Sequence, residues 1–417
     1  MSYRNALDYL ESKTKVFELY NQLGARVAIC PEWNGRVMTS TADGIDGDSF
    51  GLIRVGDIEA GMSQGPYNFF GGEDQFTLSP EGGPFSLYYA VDPDESAIRK
   101  NQVAIPVGFT EDAFEVDRGT QGSSLRMRRT IRMRNLAGAQ FDLDVFRTAR
   151  LTADHELVAI FGDTVAAVLG QQDLSYVSYQ TSTSIINRGA PIAKSSGLVS
   201  IRARSMFNST ANHVILVPFK PGEEERFGSA VCVDFFGMPP RGRLRILPEV
   251  ALLCANGKYR CQIGVSRKRV LPYLGAVDFR NGVLTLVTFN LPQSPMEYEY
   301  LSNEYCETVS NTTCDFIRTR EYYLEQMLAN PSEETAPLYA GEVVRAYSNG
   351  PSGPNDRSTC PFYEFNTFSP AFELQRSEMI SHHQYTTHIN ADRLTLEFLL
   401  RSLLNADFES VYQTMPM

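Results

Sequence analysis

The stretch FFGGEDQFTLSPEGGPFSLYY, residues 69–89, holds two glycine pairs, Gly71-Gly72 and Gly82-Gly83. Between them lie the carboxylates Glu73, Asp74 and Glu81, with Gln75 and aromatic residues alongside. Paired glycines let a backbone turn with positive φ or pass close to another segment. The stretch therefore reads either as an acidic loop or as the rigid rim of a binding site. Carboxylates and an amide beside flat apolar rings suit a polyol, whose hydroxyls need acceptors and whose carbon face needs cover.

Outward from this stretch, short runs of alternating apolar and polar residues dominate. KVFELY, RVAIC, RVMTST and GLIRVG come first, separated by the turn clusters NQLG, PEWNG and DGIDGD. The pattern returns in LRMRRTIRMR, FDLDVFRTARL, VSYQTSTSIIN, LVSIRARSM, HVILVPF, AVCVDFF, EVALLCA, RCQIGVS and GVLTLVTFN. This is hairpin spacing, and it predicts an all-β chain of roughly 15 to 20 strands of ordinary length. No repeat of propeller or solenoid period stands out. We expect one large β-sandwich over residues 1–417 with a few short helices. Helices are expected at 4–12, at 320–329 before Asn330-Pro331, and at 392–406 with Asn390 as N-cap. Residues 155–170 read equally as helix or strand. The Gly/Pro/Ser/Asn segment 348–359 reads as a functional loop or lid.

The 417-residue chain carries 49 acidic against 38 basic residues, a net charge of −11. That balance opposes nucleic-acid binding, which needs clustered Lys and Arg. RMRRTIRMR (126–134) is read as a strand with a solvated face, its basic residues alternating in part with Leu125, Met127, Thr130, Ile131 and Met133. The seven scattered cysteines lack a C-x-x-C pair and fit free thiols in a reducing compartment, with Cys232 as a small core residue and Cys306–Cys314 as a loop bridge only in a secreted form. The N-terminal segment has no apolar signal core, and no stretch matches a membrane span. The expectation is a cytoplasmic protein of undetermined oligomeric state, with no membrane or nucleic-acid partner. Phosphate-loop, dinucleotide, zinc-protease and nucleophile-elbow motifs are missing from the sequence, and no cofactor is expected.

Three of five histidines fall in ISHHQYTTHIN, residues 380–390. On a strand, His382 and His388 share one face and His383 takes the other. Upstream, Glu364 stands between Tyr363 and Phe365. A carboxylate among aromatics is desolvated, which suits general-base work. Glu364 reads as base with His382 or His388 as acid, or as an outward strand residue beside surface histidines. Metal binding is not expected, since His382 and His383 cannot face one ion from a regular strand. Trp33, in CPEWNGRV beside Arg36, is either a stacking platform or the cover of a hairpin turn. Arg36, Arg188 and Arg345 would suit a phosphate or uronate.

FELYNQLGARVAICPEWNGRVMTST resembles the opening hairpins of the galactose mutarotase-like superfamily, and FFGGEDQFTLSPEGGPFSLYY resembles the Gly-Gly segment that enters its sugar cleft. SYQTSTSIINRGA is similar to its central strand ending in Asn, here Asn187. YRCQIGVSRKRVLPYLGAVDFRNGVLTLVTFNLP and FYEFNTFSPAFELQRSEMISHHQYTTHI extend the resemblance over about residues 15–400. The closest pattern is an uncharacterised bacterial group within the superfamily. The resemblance implies a β-supersandwich with a carbohydrate groove. In that superfamily's epimerases a late Glu, matched by Glu364, removes the anomeric proton while a mid-chain His protonates the ring oxygen. The comparable segment here has Asn187 but no His. The implied functions are an aldose 1-epimerase-type isomerase using Glu364 with His382 or His388, a non-catalytic sugar-binding or sensing protein, or an oligosaccharide lyase or hydrolase. Trp33, Arg36, Glu73, Asp74, Gln75 and Asn187 are the expected contacts to a monosaccharide or oligosaccharide. Glu73 and Asp74 are expected to point into the groove, with Glu81 closing the turn.

Overall fold

The computed structural model describes the chain apart from residues 62–69, 84, 92–97, 100–103, 110–112, 118–122, 172–173, 303–336, 352–359 and 415–417. The expected helix at 320–329, Cys306, Cys314 and most of the 348–359 loop lie outside the described residues.

The alternating runs form antiparallel sheets. A ten-stranded sheet runs, edge to edge, through Leu244–Ile246, Val250–Cys254, His213–Pro218, Tyr273–Asp278, Val283–Phe289, Met379–Asn390, Ser175–Asn187, Gln140–Leu151, Ser124–Arg134 and Glu115–Val116. Facing it is a five-stranded sheet of Cys261–Ser266, Glu342–Ser348, Phe362–Phe368, Ser200–Asn208 and Gln75–Ser79. A three-stranded sheet of Phe17–Tyr20, Arg26–Cys30 and Arg36–Thr41 extends the smaller layer through the Val37–Asp74 bridge.

Two apolar clusters fill the space between the layers. One gathers Val27, Ile29, Phe76, Leu78, Val145 and Ile185; the other gathers Phe207, Ile215, Val217, Val287, Val344 and Phe365. The outer face of the ten-stranded sheet is covered by the helix Arg393–Leu404, whose Leu396, Leu399 and Leu400 pack on Val214, Leu216, Leu284 and Ile389. Its N-cap is Asp392, which accepts from Thr395 N, rather than Asn390. The helix Tyr3–Glu11 starts at Ser2 and lays Tyr3 and Leu10 against Ala28 and Met38.

Several local expectations change. Residues 154–169 form two helices, Asp154–Phe161 and Asp163–Leu169, broken at Gly162 with φ 80°. GLIRVG makes isolated bridges at Gly51 and Ile53 and then turns into the helix Val55–Ala60. AVCVDFF contributes only the Cys232–Gly264 bridge, and Cys232 is half-buried with its thiol on Asp234, whereas Cys30, Cys254 and Cys261 are buried. In Ser124–Arg134 the inward member is Arg129, not Thr130. Its guanidinium donates to Asn34 Oδ1 at 3.2 Å and to Gly108 O. Among the described residues no helix is long and apolar enough to cross a membrane.

Candidate functional site

Alternation along Ser200–Asn208 sends Ile201, Ala203, Ser205 and Phe207 toward the ten-stranded sheet and Arg202, Arg204 and Met206 the other way. Register places Arg204 opposite Gln75 on one side and Asn366 on the other, and Asn366 opposite Arg345. The Val37–Asp74 bridge sets Arg36 opposite Gln75. One row therefore crosses five strands on the outer face: Arg36, Gln75, Arg204, Asn366, Arg345. Although polar, every member is buried.

Three ion pairs organise this face. Arg204 holds Glu364 through two bonds, Nε to Oε2 at 3.0 Å and Nη2 to Oε1 at 2.5 Å. Arg202 pairs with Glu81 and donates from Nε to Asn366 Oδ1 at 2.9 Å. Arg345 donates twice to Glu342 Oε2, at 3.1 and 2.5 Å. Burial would push the Glu81 carboxyl up, but Arg202, Arg204 and Arg345 together hold it below its usual range. Glu342 is likewise pushed up by burial and brought below its usual range by Arg345. The Phe368 ring lies between two guanidiniums, 5.8 Å from Arg202 and 5.3 Å from Arg345.

Arg36 differs from these three. Its Nη1 donates to Gly71 O at 2.8 Å and its guanidinium stands over Phe70, yet Nε has no acceptor. Burial first, and then the like charges of Arg204 and Arg147, lowers its pKa to about 9. Gly72, at φ 103°, makes room for the chain: a Cβ there would lie 2.6 Å from Arg36 Cδ. Gln75 Oε1, Ser79 Oγ and Ser200 Oγ, on the same face by alternation, are also buried without partners. Buried polar atoms left unpaired are costly, and four on one face mark where a polar ligand gains most.

The other predicted site residues lie inside the sandwich. Glu73 is fully buried: Oε1 accepts from Ser40 N at 2.5 Å, and Oε2 accepts from Tyr179 OH at 3.0 Å and faces His388 Nε2 at 3.2 Å. Asp74 pairs with Arg147 and accepts from Thr181 Oγ1 at 2.7 Å and Gln384 Nε2 at 3.1 Å. Gln384 also donates to Ser205, the inward neighbour of outward Arg204. His388 bonds Thr285 at 2.9 Å and stacks on Phe50; His382 bonds Thr367 at 2.8 Å. The FGGEDQ segment, residues 70–75, is thus rigid, but Glu73 and Asp74 pin two sheets together instead of pointing into a groove. A sheet separates them, and both histidines, from Glu364, so Glu364 shares no face with His382, His388, Glu73 or Asp74.

Trp33 packs edge-on against Phe70, ring centroids 5.0 Å apart, and covers the small cluster under the N-terminal helix. Asn187 is fully buried and closes a turn, donating to Ala190 O and Leu374 O and accepting from Gly189 N. Of the residues singled out in the sequence, Glu364, Gln75, Arg36 and Arg345 share the outer face, whereas Arg188 pairs with Asp144 on the ten-stranded sheet. Arg202, Arg204 and Asn366 were missed. The Arg-x-Arg spacing of SIRARS puts two cations on one side of a strand, which reads as a solvated face unless that side is known to be covered. Among the described residues no group of three or more His, Cys, Asp or Glu is arranged to hold a metal ion.

These features define an all-β two-layer sandwich whose smaller sheet carries a buried, ion-paired polar face. The chain belongs to DUF6786, a family of unknown function whose profile matches residues 1–319 and 307–415. No curated protein matches it by sequence. Among solved structures it is similar to the Slr1438 protein of Synechocystis sp. PCC 6803, at 10% identity over 91% of this chain and 97% of that one, TM-score 0.48. It is also similar to a galactose mutarotase-like protein from Lactobacillus casei ATCC 334, at 8% identity over 90% and 100% of the two chains, TM-score 0.46. A galactose mutarotase related enzyme from Lactobacillus acidophilus gives 8% identity over 91% and 99%, TM-score 0.43.

Proposed function

We propose that this protein binds a carbohydrate on the outer face around Gln75, Arg204, Glu364 and Asn366, and does so without Glu–His epimerase chemistry. The observation that carries the reading is the Arg204–Glu364 pair flanked by the unpartnered Gln75 Oε1. Bidentate pairs and amides satisfy vicinal hydroxyls. Ring opening needs an acid that gives up a proton near neutral pH. Arg204, which grips Glu364, is a guanidinium and keeps its protons there. None of the five histidines is on this face: His155 is on a short helix, His213, His382 and His388 turn inward from the ten-stranded sheet, and His383 bonds Ser182 on that sheet's outer side. Two-dimensional NMR on the full chain with a panel of monosaccharides and oligosaccharides tests this. Saturable shifts with at least one sugar, and α/β exchange no faster than in buffer, are expected. Accelerated exchange abolished by Glu364→Gln would restore the isomerase, and no shift with any sugar would remove the binding reading.

A further inference from the structure

Resting on the carbohydrate reading, we infer that the sugar bound on this face carries an anionic group, received at the Arg36–Gln75–Arg204 end of the row. Among the described residues, the row and its immediate neighbours hold the arginines 36, 202, 204 and 345 and the carboxylates Glu81, Glu342 and Glu364, each of which pairs with one of the latter three arginines. Arg36 is the cation in excess. Among the described residues its partners are one carbonyl and a ring, and the charges of Arg204 and Arg147, of its own sign, act on it. A buried charge without a counter-ion costs several kcal/mol, and the excess stands out in a chain whose net charge is −11.

Two neighbouring features point to the same end. Gln75 lies between Arg36 and Arg204 in the row and leaves its Oε1 unbonded, so the gap between the two guanidiniums is spanned by a neutral side chain. Glu364 already occupies Arg204 in a bidentate grip, which leaves the Arg36 side of that gap as the positive one. A carboxylate, as in a uronic acid, or a phosphate ester provides acceptors for such donors. The recognised chemistry is a single anionic group on a polyhydroxylated ring.

Isothermal titration of the full chain with D-glucuronate, D-glucose 6-phosphate and D-glucose tests the inference. At least one acid is expected to bind about tenfold or more tightly than glucose, roughly 1.4 kcal/mol, with the difference shrinking as salt rises. The two acid arms distinguish a carboxylate from a phosphate. Gln75→Glu places a counter-ion beside Arg36 and is expected to lower the acid-to-glucose affinity ratio about tenfold while the melting temperature stays level or rises. Arg36→Met lowers the same ratio, and the ratio remains readable at reduced stability. Glucose bound as tightly as both acids would overturn the inference and leave the carbohydrate reading intact. Binding of none of the three would overturn the inference, and silence across the wider sugar panel would take the carbohydrate reading with it.

Discussion

His382 Nε2 lies 2.8 Å from Thr367 Oγ1, on the inner side of the strand whose outer side carries Glu364 and Asn366. Thr367 donates its single proton to Gln384 Oε1 at 2.8 Å, so it must accept from His382 Nε2. His382 therefore carries a proton on Nε2, and with its buried Nδ1 lacking a partner and burial lowering its pKa to about 3 it is a neutral imidazole. It tightens the sandwich and has no path to Glu364.

That neutrality gives a pH dependence. Burial lowers the His382 pKa to about 3, with the neighbouring His383 contributing; burial lowers His213 to about 4 against an opposing pull from Asp278. In the unfolded chain both take up protons near 6.5. Between those values the unfolded state binds more protons, so stability is full above about pH 6.5 and falls as the pH drops toward 4. Calorimetry from pH 8 to pH 4 should show a falling melting temperature, with a shallower slope in His382→Asn.

The Arg204–Glu364 pair should respond as buried pairs do. Glu364→Gln leaves a buried guanidinium short of its counter-charge and is expected to cost about 3 kcal/mol. Arg204→Met combined with Glu364→Leu should recover most of that loss. Urea unfolding of the single and double variants measures it, and a cost below about 0.5 kcal/mol for Glu364→Gln would mean that the pair is solvated.

Asp74→Asn removes the counter-charge of Arg147, whose Nε donates to Gly35 O and Nη1 to Thr183 Oγ1. A loss of about 3 to 5 kcal/mol is expected. Tyr179→Phe, which removes one donor to Glu73, should cost only about 1 kcal/mol. The two variants compared by denaturant midpoint separate a charge-bearing pin from a hydrogen-bonding one.

Gly71 is held at φ 94°, and a Cβ there would lie 1.9 Å from Leu52 O. Gly138 has nearly the same φ, 95°, with nothing within 4 Å. Gly138→Ala should cost about 1 kcal/mol, the backbone effect alone. Gly71→Ala adds a clash with backbone and should cost about 3 kcal/mol or more. Equal losses in thermal melts would show that the segment relaxes around Gly71.

Much of the architecture was legible because burial imposes a period of two. The run 380–390 keeps His382, Gln384, Thr386 and His388 buried and sets His383 on the other face, as its parity requires. The requirement for glycine at 71 and 72 was legible for the same kind of reason, since both sit at positive φ. The direction of Glu73 and Asp74 was not. Adjacent residues on a strand point to opposite faces, but after the Gly71-Gly72 turn both turn inward, and a sequence period carries no information across such a turn. Arg202 and Arg204 were hidden because alternation tells which residues share a face, and only tertiary packing tells whether that face is wet. Asp392 displaced Asn390 as cap because Asn390 still belongs to the strand Met379–Asn390.

The interior polar seam of Glu73, Asp74, Arg147, Gln384 and His388 also bears on how the layers find their alignment. Alternation forbids a strand to slide by one residue, because that would turn its apolar set outward. A slide by two keeps every side chain on its proper face and costs an apolar core little. Here it would carry Gln384 away from Asp74 and His388 away from Glu73, costing each carboxylate one of its partners in a dry interior. The seam acts as a detent that selects one alignment among several that greasy packing alone would accept.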